Sequence, residues 1–175
     1  MAERDEKIIV VLTGPESTGK TTLALALAHH FGTTAGAEYA RIFFTHLDRP
    51  YILFDLEDIA LGQLKLENQA VAENSELVIL DTDLLVVFLW AKIKYRHHFD
   101  WMEEKLRKQT DRLYLLCAPD IAWTPDPLRE NPNDRQEIFE VYKTELIRLG
   151  LEYRIVSGSG PARLESALRA IAEWK

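Results

Sequence analysis

The feature that most constrains the fold is a junction between an apolar run and a glycine-containing loop near the start of the chain. Residues 8–12 read IIVVL, the loop 14–21 reads GPESTGKT, and residues 21–31 have the composition of a helix. A loop of this kind holds an anion with consecutive backbone N–H groups at a helix N-terminus, so it needs a strand before it and a helix after it. The sequence therefore predicts a strand, a phosphate-binding loop and a helix in that order.

The spacing of the loop predicts that it binds ATP together with Mg²⁺. The ammonium group of Lys20 can reach the β- and γ-phosphates, and the hydroxyl of Thr21 can ligate the metal ion. The residues predicted to contact the nucleotide are Gly14, Glu16, Ser17, Thr18, Gly19, Lys20, Thr21 and Thr22.

Further apolar runs alternate with helical segments along the rest of the chain. Strands are predicted to finish near residue 38 and to span 77–80, 113–117 and 153–156. Helices are predicted over 55–74, 84–95 and 101–108, from a cap at Asn133 or Asp134 to Gly150, and from Pro161 onward. This alternation predicts one α/β domain over residues 1–175, with a parallel sheet of about five strands between two layers of helices.

The composition of the chain limits the kinds of partner that it is expected to bind. The net charge of −7 argues against binding to nucleic acid or to an anionic membrane. No apolar run approaches the roughly 20 residues that span a bilayer, and the charged start carries no apolar leader, so we expect a cytoplasmic protein. Cys117 is the single cysteine, which excludes an internal disulfide, and the five histidines lack the spacing of metal ligands.

Two aspartates follow the strand predicted at 77–80. Asp81 should lie at the carboxyl edge of the sheet beside the phosphate loop, where it can hold Mg²⁺ with Thr21. Either Asp81 or Asp83 could instead cap the helix that begins at residue 84, and Asp83 is better placed to do so. Asp83 is also a candidate substrate contact.

Two further residues are candidates for contacts with the molecule that accepts the phosphate. Glu38, predicted at the end of the second strand, should face the same crevice, where a carboxylate can take the proton of an acceptor hydroxyl. Arg41 could orient that carboxylate or touch a phosphate. A surface ion pair is the alternative for both residues.

A proline-rich stretch predicts a lid over about 119–136. Four of the seven prolines fall within 119–132, which excludes a long helix or a central strand there. Arg129 and Arg135 could neutralise charge on the transferred phosphoryl group, and closure would exclude water. A solvated loop is the alternative.

Several classes of phosphate-loop protein fit poorly. The guanine-reading NKxD pattern of GTPases is absent, protein kinases use a different glycine loop, and 175 residues leave little room for a large AAA-type motor. A small-molecule kinase remains, with a nucleotide-binding regulator that hydrolyses ATP slowly as an alternative from another class.

Taken together, the motifs resemble the kinase domain of the bacterial NadR proteins, the ribosylnicotinamide (nicotinamide riboside) kinases of NAD salvage. The matching segments, in order, are GPESTGKTTL, EYAR at 38–41, ALGQ at 60–63, DTD at 81–83, Trp123, Asp126 and Leu128-Arg129. The resemblance implies a nucleoside-kinase-like P-loop fold and transfer of the γ-phosphate of ATP to the 5′-hydroxyl of nicotinamide riboside, giving nicotinamide mononucleotide. The DNA-binding and adenylyltransferase domains of full-length NadR proteins are not expected here. Another nucleoside or small-alcohol kinase is the alternative.

The resemblance also implies roles for individual residues. Glu38 would lie near the acceptor hydroxyl, Asp81 at the metal and Asp83 in the substrate pocket, and either Glu38 or Asp83 could be the base. A flat, cationic pyridinium ring favours carboxylates and an aromatic face, for which Tyr39, Trp90 and Trp123 are candidates. The predicted catalytic residues are Lys20, Glu38, Asp81, Arg129 and Arg135, and the predicted substrate contacts are Glu38, Tyr39, Arg41, Asp83 and Trp123.

Overall fold

The computed structural model describes residues 7–74, 76–126 and 129–174. Leu128, one of the motif residues of the lid, lies outside them. The elements in chain order are β1 (Ile8–Thr13), α1 (Lys20–Phe31), β2 (Ala35–Gly36), α2 (Tyr39–Thr45), α3 (Asp55–Glu73), β3 (Leu77–Asp81), α4 (Leu84–Tyr95), α5 (Asp100–Arg107), β4 (Arg112–Cys117), α6 (Arg135–Leu149), β5 (Tyr153–Val156) and α7 (Pro161–Trp174).

The described strands form one parallel sheet in the order β2-β3-β1-β4-β5. Leu12 of β1 pairs with Asp81 of β3, and Thr13 pairs with Leu116 of β4. Because parallel strands end at the same edge of a sheet, the phosphate loop after β1 opens beside Asp81. The predicted fold class, a five-stranded parallel sheet of the P-loop kinase type, is confirmed.

Two apolar clusters cover the two faces of the sheet, because successive side chains of a strand point to opposite faces. Ile9 and Val11 pack with α3, α4, α5 and α6 on one face. Val10 and Leu12 pack with α1 and α7 on the other. The helices therefore form two outer layers and the sheet the middle one. Within the described ranges, no helix has both the length and the apolar content to cross a bilayer.

The second strand differs from the prediction. It ends at Gly36, and Glu38 instead precedes helix α2, which was not predicted. Tertiary contacts explain the difference: the backbone N–H of Tyr39 donates to the side-chain oxygen of Gln63 (2.8 Å). The Tyr39 ring also packs so tightly over Gly62 of α3 that a Cβ there would lie 2.1 Å from it. A short polar-aromatic segment is thus held in a helix by α3 rather than by its own periodicity.

Candidate active site

The phosphate loop has the backbone geometry that its glycines suggest. Gly14 has a φ of 126°, and a Cβ there would lie 2.9 Å from the main-chain oxygen of Cys117, so no other residue fits without a shift. Gly19 has a φ of 76° and precedes the first residue of α1. The loop thus directs the N-terminal N–H groups of α1 into a concave site suited to an anion.

Lys20 lies inside the curve of this loop. Its ammonium group donates to the main-chain oxygens of Gly14 (3.0 Å) and Pro15 (2.6 Å). Burial lowers the pKa of Lys20, while the nearby carboxylates of Glu38 and Asp81 act in the opposite direction. Two main-chain oxygens of the loop therefore hold this cation at the edge of the phosphate-loop cavity.

Asp81 ends β3 beside Thr21, the first-turn residue of α1. Among the residues that the structure describes, Oδ1 of Asp81 is buried without a hydrogen-bonding partner, and the Thr21 hydroxyl is near enough to lower the pKa of this carboxyl group. Burial raises the pKa of Asp81, and the Thr21 hydrogen bond and Lys20 oppose that shift. Hydroxyl and carboxylate oxygens are hard ligands of the kind that Mg²⁺ prefers. Thr21 and Asp81 therefore suit this ion.

Two cavities meet at this edge of the sheet. The phosphate-loop cavity, of about 130 Å³, is lined by residues 16–22 with Glu38, Arg41 and Arg129. The α4 cavity, of about 270 Å³, is walled by α4 and α6. Three side chains line both cavities: Glu16, Lys20 and Glu38. Any group transferred from one cavity to the other would pass these residues.

Glu38 forms an ion pair with Arg41. The Nε of Arg41 donates to Oε2 of Glu38 (3.0 Å), and its NH1 donates to Asp126 of the lid (3.2 Å). Burial raises the pKa of Glu38, and the charge of Asp81 adds to that shift, whereas Lys20 and Arg41 lower it. A carboxylate with a raised pKa beside an open cavity is suited to accept a proton.

The α4 cavity has an aromatic wall and charged groups at its rim. Val86, Trp90, Ile93 and Lys94 recur at helical spacing on one face of α4, and Tyr142 of α6 faces them. The indole N–H of Trp90 donates to the hydroxyl of Tyr51 (3.1 Å). Trp90, one of three aromatic candidates from the sequence, therefore lines the cavity.

Tyr51, Lys94 and Glu130 were not predicted as site residues. The carboxylate of Glu130 accepts hydrogen bonds from Lys94 (2.9 Å) and from the Tyr51 hydroxyl (3.0 Å). The spacing of Trp90 and Lys94 on α4 is a signal that could have found Lys94. Tyr51 and Glu130 lie on connecting segments that only the tertiary structure brings to α4.

The structure does not place Asp83 in either cavity. Its side chain is completely buried, Oδ1 accepts from the N–H of Leu85 (3.0 Å), and Oδ2 accepts from the hydroxyl of Tyr114 (2.6 Å). Asp83 is thus the cap of α4, the role for which its position was better suited. Burial raises the pKa of Asp83 to about 6, with the charge of Glu67 adding to the shift.

Two predicted aromatic contacts also lie elsewhere. Tyr39 packs over Gly62 rather than along a cavity wall. Trp123 does not line either cavity, and its indole N–H donates to Oε1 of Glu16 (3.2 Å). The Trp123 ring is therefore joined to the phosphate loop, and the Tyr39 ring packs on α3.

The described part of the lid lies against the phosphate loop. The hydroxyl oxygen of Ser17 accepts from the N–H of Thr124 (3.0 Å), and Arg135 donates to the main-chain oxygens of Ser17 and Ile121 (2.9 Å each). Arg129 lines the phosphate-loop cavity and donates to the main-chain oxygen of Thr124. Of the two lid arginines, Arg129 thus faces the phosphate site, and Arg135 fastens the lid to the loop.

Comparison with known proteins agrees with this geometry. The model of the AAA domain family matches residues 9–163. The trifunctional NAD biosynthesis/regulator protein NadR of Escherichia coli (strain K12) is 30% identical over 134 residues, which are 73% of this chain and 33% of that protein. This chain thus spans about a third of the length of that relative.

Solved structures give the same result. A NadR protein in complex with NR superposes with a TM-score of 0.71 at 26% identity, over 97% of this chain and 51% of that one. A NadR protein in complex with NAD and AMP-PNP gives a TM-score of 0.69 at 26% identity, over 97% and 49%. Thymidylate kinase from Ehrlichia chaffeensis, at 11% identity, shares the fold with a TM-score of 0.66 over 97% and 100%.

The match to the AAA domain family does not test the prediction against a large AAA-type motor. The phosphate loop, the acid after β3 and the relatives at both sequence and structure level agree on one assignment. The chain belongs to the AAA domain family and is a NadR-like P-loop kinase domain.

Proposed function

We propose that this domain transfers the γ-phosphate of ATP to the ribose 5′-hydroxyl of nicotinamide riboside, giving nicotinamide mononucleotide and ADP. The observation that carries the proposal is the position of Glu38, which lines both cavities together with Lys20. A donor in one cavity and an acceptor in the other would meet at this carboxylate.

The proposed reaction uses the residues as follows. The 5′-oxygen of the acceptor attacks the γ-phosphorus, the bond from that phosphorus to the β,γ-bridging oxygen breaks, and ADP leaves with the electron pair. Glu38 takes the proton of the hydroxyl. Lys20 and Arg129 stabilise the charge on the transferred group. Thr21 and Asp81 would hold Mg²⁺, which when bound neutralises phosphate charge.

The alternative base, Asp83, has less support. Its two oxygens are already hydrogen-bonded to Leu85 and Tyr114, and its side chain is completely buried. A base must come within hydrogen-bonding distance of the proton it removes. We therefore assign the base role to Glu38.

The α4 cavity supports a small, flat, cationic acceptor. Its volume of about 270 Å³ is slightly below the usual range for small-molecule sites, roughly 300–1,000 Å³. Trp90 offers an aromatic face, and the carboxylate of Glu38 lines the side next to the phosphate loop. A pyridinium ring is stabilised by both kinds of group. The NadR structures with NR and with NAD and AMP-PNP support ligands of this class.

The test measures ADP formation with nicotinamide riboside, with ordinary nucleosides, with deoxynucleosides and with no acceptor. We expect turnover that depends on nicotinamide riboside and a product whose mass is that of nicotinamide mononucleotide. Lys20→Ala and Glu38→Gln should each lower that turnover at least 100-fold. A preference for another nucleoside would replace the acceptor in this proposal. Turnover that needs no acceptor and survives Glu38→Gln would instead indicate a regulatory ATPase.

A further inference from the structure

Glu16 belongs to the phosphate loop, yet both of its carboxylate oxygens bind the lid. Oε1 accepts from the indole N–H of Trp123 (3.2 Å) and from the N–H of Asn131 (2.7 Å), and Oε2 accepts from the N–H of Glu130 (2.9 Å). Glu16 also lines the phosphate-loop cavity, where the sequence predicts a nucleotide contact. Among the residues that the structure describes, the donors to its carboxylate all belong to the lid.

Residues 130 and 131 form a wall of the α4 cavity. On the loop side their N–H groups are held by Glu16. On the opposite side the carboxylate of Glu130 forms an ion pair with Lys94 (2.9 Å) and accepts from the hydroxyl of Tyr51 (3.0 Å). This wall is therefore fastened at two points, one on the phosphate loop and one on α4.

We propose that Glu16 is a specificity-determining positioning residue: by fastening this wall to the phosphate loop, it closes the α4 cavity against water and makes ATP turnover depend on an acceptor. The identity of the acceptor in this inference rests on the proposed kinase function. The role of Glu16 follows from its contacts with the lid and does not depend on which acceptor binds.

The physical basis is that the phosphate loop would contact both ligands, ATP directly and the acceptor through the wall that Glu16 holds. Phosphates bound to the N–H groups of the loop would fix its conformation and hence the direction of the Glu16 side chain. Hydrogen bonds from N–H donors to a carboxylate are stronger than those between neutral groups, so the wall would follow the loop. ATP should then tighten acceptor binding, and the acceptor should tighten ATP binding by the same factor.

The experiment compares four proteins: the wild type, Glu16→Gln, Trp123→Phe and the control Glu137→Gln. Glu16→Gln keeps the shape and removes the charge, whereas Trp123→Phe removes one donor from the lid and leaves the phosphate loop unchanged. Glu137 lies exposed in the first turn of α6, next to the lid. For each protein, ADP formation is measured with nicotinamide riboside and without it. Calorimetry measures the affinity for nicotinamide riboside with and without AMP-PNP.

We expect Glu16→Gln to raise the ratio of acceptor-free hydrolysis to transfer about tenfold and to abolish the tightening of nicotinamide riboside binding by AMP-PNP. Trp123→Phe should shift both readouts in the same direction by a smaller factor, and Glu137→Gln should match the wild type. If Glu16→Gln does not fold, as a thermal melt would show, Trp123→Phe decides the question alone.

An unchanged ratio together with unchanged coupling in the folded variants would overturn the inference, and Glu16 would then be a structural residue only. A wild type that transfers nothing to nicotinamide riboside would overturn the proposed function instead. In that case the rate of acceptor-free ATP hydrolysis still tests the role of Glu16. A higher rate in Glu16→Gln than in the wild type supports that role, and an equal rate contradicts it.

Discussion

The guanidinium of Arg41 lies 3.0 Å from the carboxylate of Glu38 and also reaches Asp126 of the lid. The side chain of Arg41 is 46% exposed and that of Glu38 is 23% exposed, so water reaches this ion pair mainly from the Arg41 side. Arg41 therefore acts on the charge of the proposed base and on the position of the lid at once.

The first prediction concerns pH. Because burial raises the pKa of Glu38, the acid limb of the pH–rate profile should fall at a higher pH than an ordinary glutamate, about 4.3, would give. Since Arg41 lowers that pKa, Arg41→Ala should move the limb to still higher pH. The measurement is kcat/KM for nicotinamide riboside between pH 4 and 8, with Arg154→Ala, a surface ion-pair variant on β5, as the control.

Glu38→Gln should remove this limb and leave a low, flat profile. An Arg41→Ala profile that coincides with the wild type would show that the limb belongs to another group. A limb that persists in Glu38→Gln would transfer the base role away from Glu38.

The second prediction is that Asp81→Asn weakens the response to Mg²⁺ while it stabilises the free protein. In the part of the chain that the structure describes, Oδ1 of Asp81 is buried without a hydrogen-bonding partner, and burial raises the pKa of this carboxyl group. An acid whose pKa is raised in the folded state stabilises the fold only while protonated, so at pH 7 the charged group is a cost. Asn removes the charge and also removes a metal ligand.

We therefore expect the half-saturating Mg²⁺ concentration to rise at least tenfold. Without nucleotide or metal, the melting temperature should rise by about 2–4 °C for each kcal/mol recovered. Thermal melts at pH 7 with and without MgATP check both effects, and Asp58→Asn, an exposed position on α3, is the control. A lower melting temperature together with an unchanged Mg²⁺ response would contradict the proposed metal role.

The third prediction concerns the buried pair of Tyr114 and Asp83. Tyr114→Phe removes the 2.6 Å hydrogen bond to Asp83 and should cost about 1–3 kcal/mol of unfolding free energy, because a buried carboxylate loses a donor. The pKa of Asp83 is raised to about 6, so its stabilising contribution is complete below pH 4 and is lost as the pH rises towards 6.

The Tyr114 hydrogen bond lowers the pKa of Asp83, so in Tyr114→Phe this loss should extend to higher pH. Urea denaturation at pH 4.5, 6 and 7.5 measures it, with Tyr153→Phe of β5 as a matched control. A stability difference between wild type and Tyr114→Phe that is the same at all three pH values would show that Asp83 keeps its pKa without Tyr114.

Local sequence determines much of this fold. The loop from Gly14 to Thr21 and the unbroken apolar run before Asp81 were sufficient to predict the central strands, their direction and the common edge where they end. Both predictions depend on backbone conformation and on burial, and a few adjacent residues determine these. Gly150 as the end of α6 and Pro161 as the start of α7 were readable for the same reason.

Contacts between segments that lie far apart in the chain could not be predicted from the sequence. The helix that begins at Tyr39 depends on Gly62 and Gln63 of α3, and the carboxylate of Glu16 finds its donors more than one hundred residues later. Asp83 has the same spacing to its neighbours whether it caps α4 or faces the substrate, and the hydroxyl of Tyr114 favours the cap. Such choices depend on tertiary packing, which periodicity and motif spacing do not contain.

The last prediction tests the aromatic wall of the α4 cavity. Trp90 lines this cavity, and its ring is held by Tyr51 at a centroid distance of 5.1 Å and by the hydrogen bond from its N–H to the Tyr51 hydroxyl. A ring fixed in this way can face a flat cationic acceptor at little entropic cost. Trp90→Leu should therefore raise KM for nicotinamide riboside about tenfold or more and leave KM for ATP within about twofold, and Trp90→Phe should give an intermediate value.

The matched control is Trp101→Phe. Trp101 also packs against the core and donates its indole N–H to a carboxylate, that of Glu57 (3.0 Å), but it lies on α5 and lines neither cavity. Any loss of stability should be shared by the two phenylalanine variants, whereas the rise in acceptor KM should occur in Trp90→Phe alone. Equal KM values for nicotinamide riboside in both variants, or a parallel rise in KM for ATP, would remove the α4 cavity from the acceptor site.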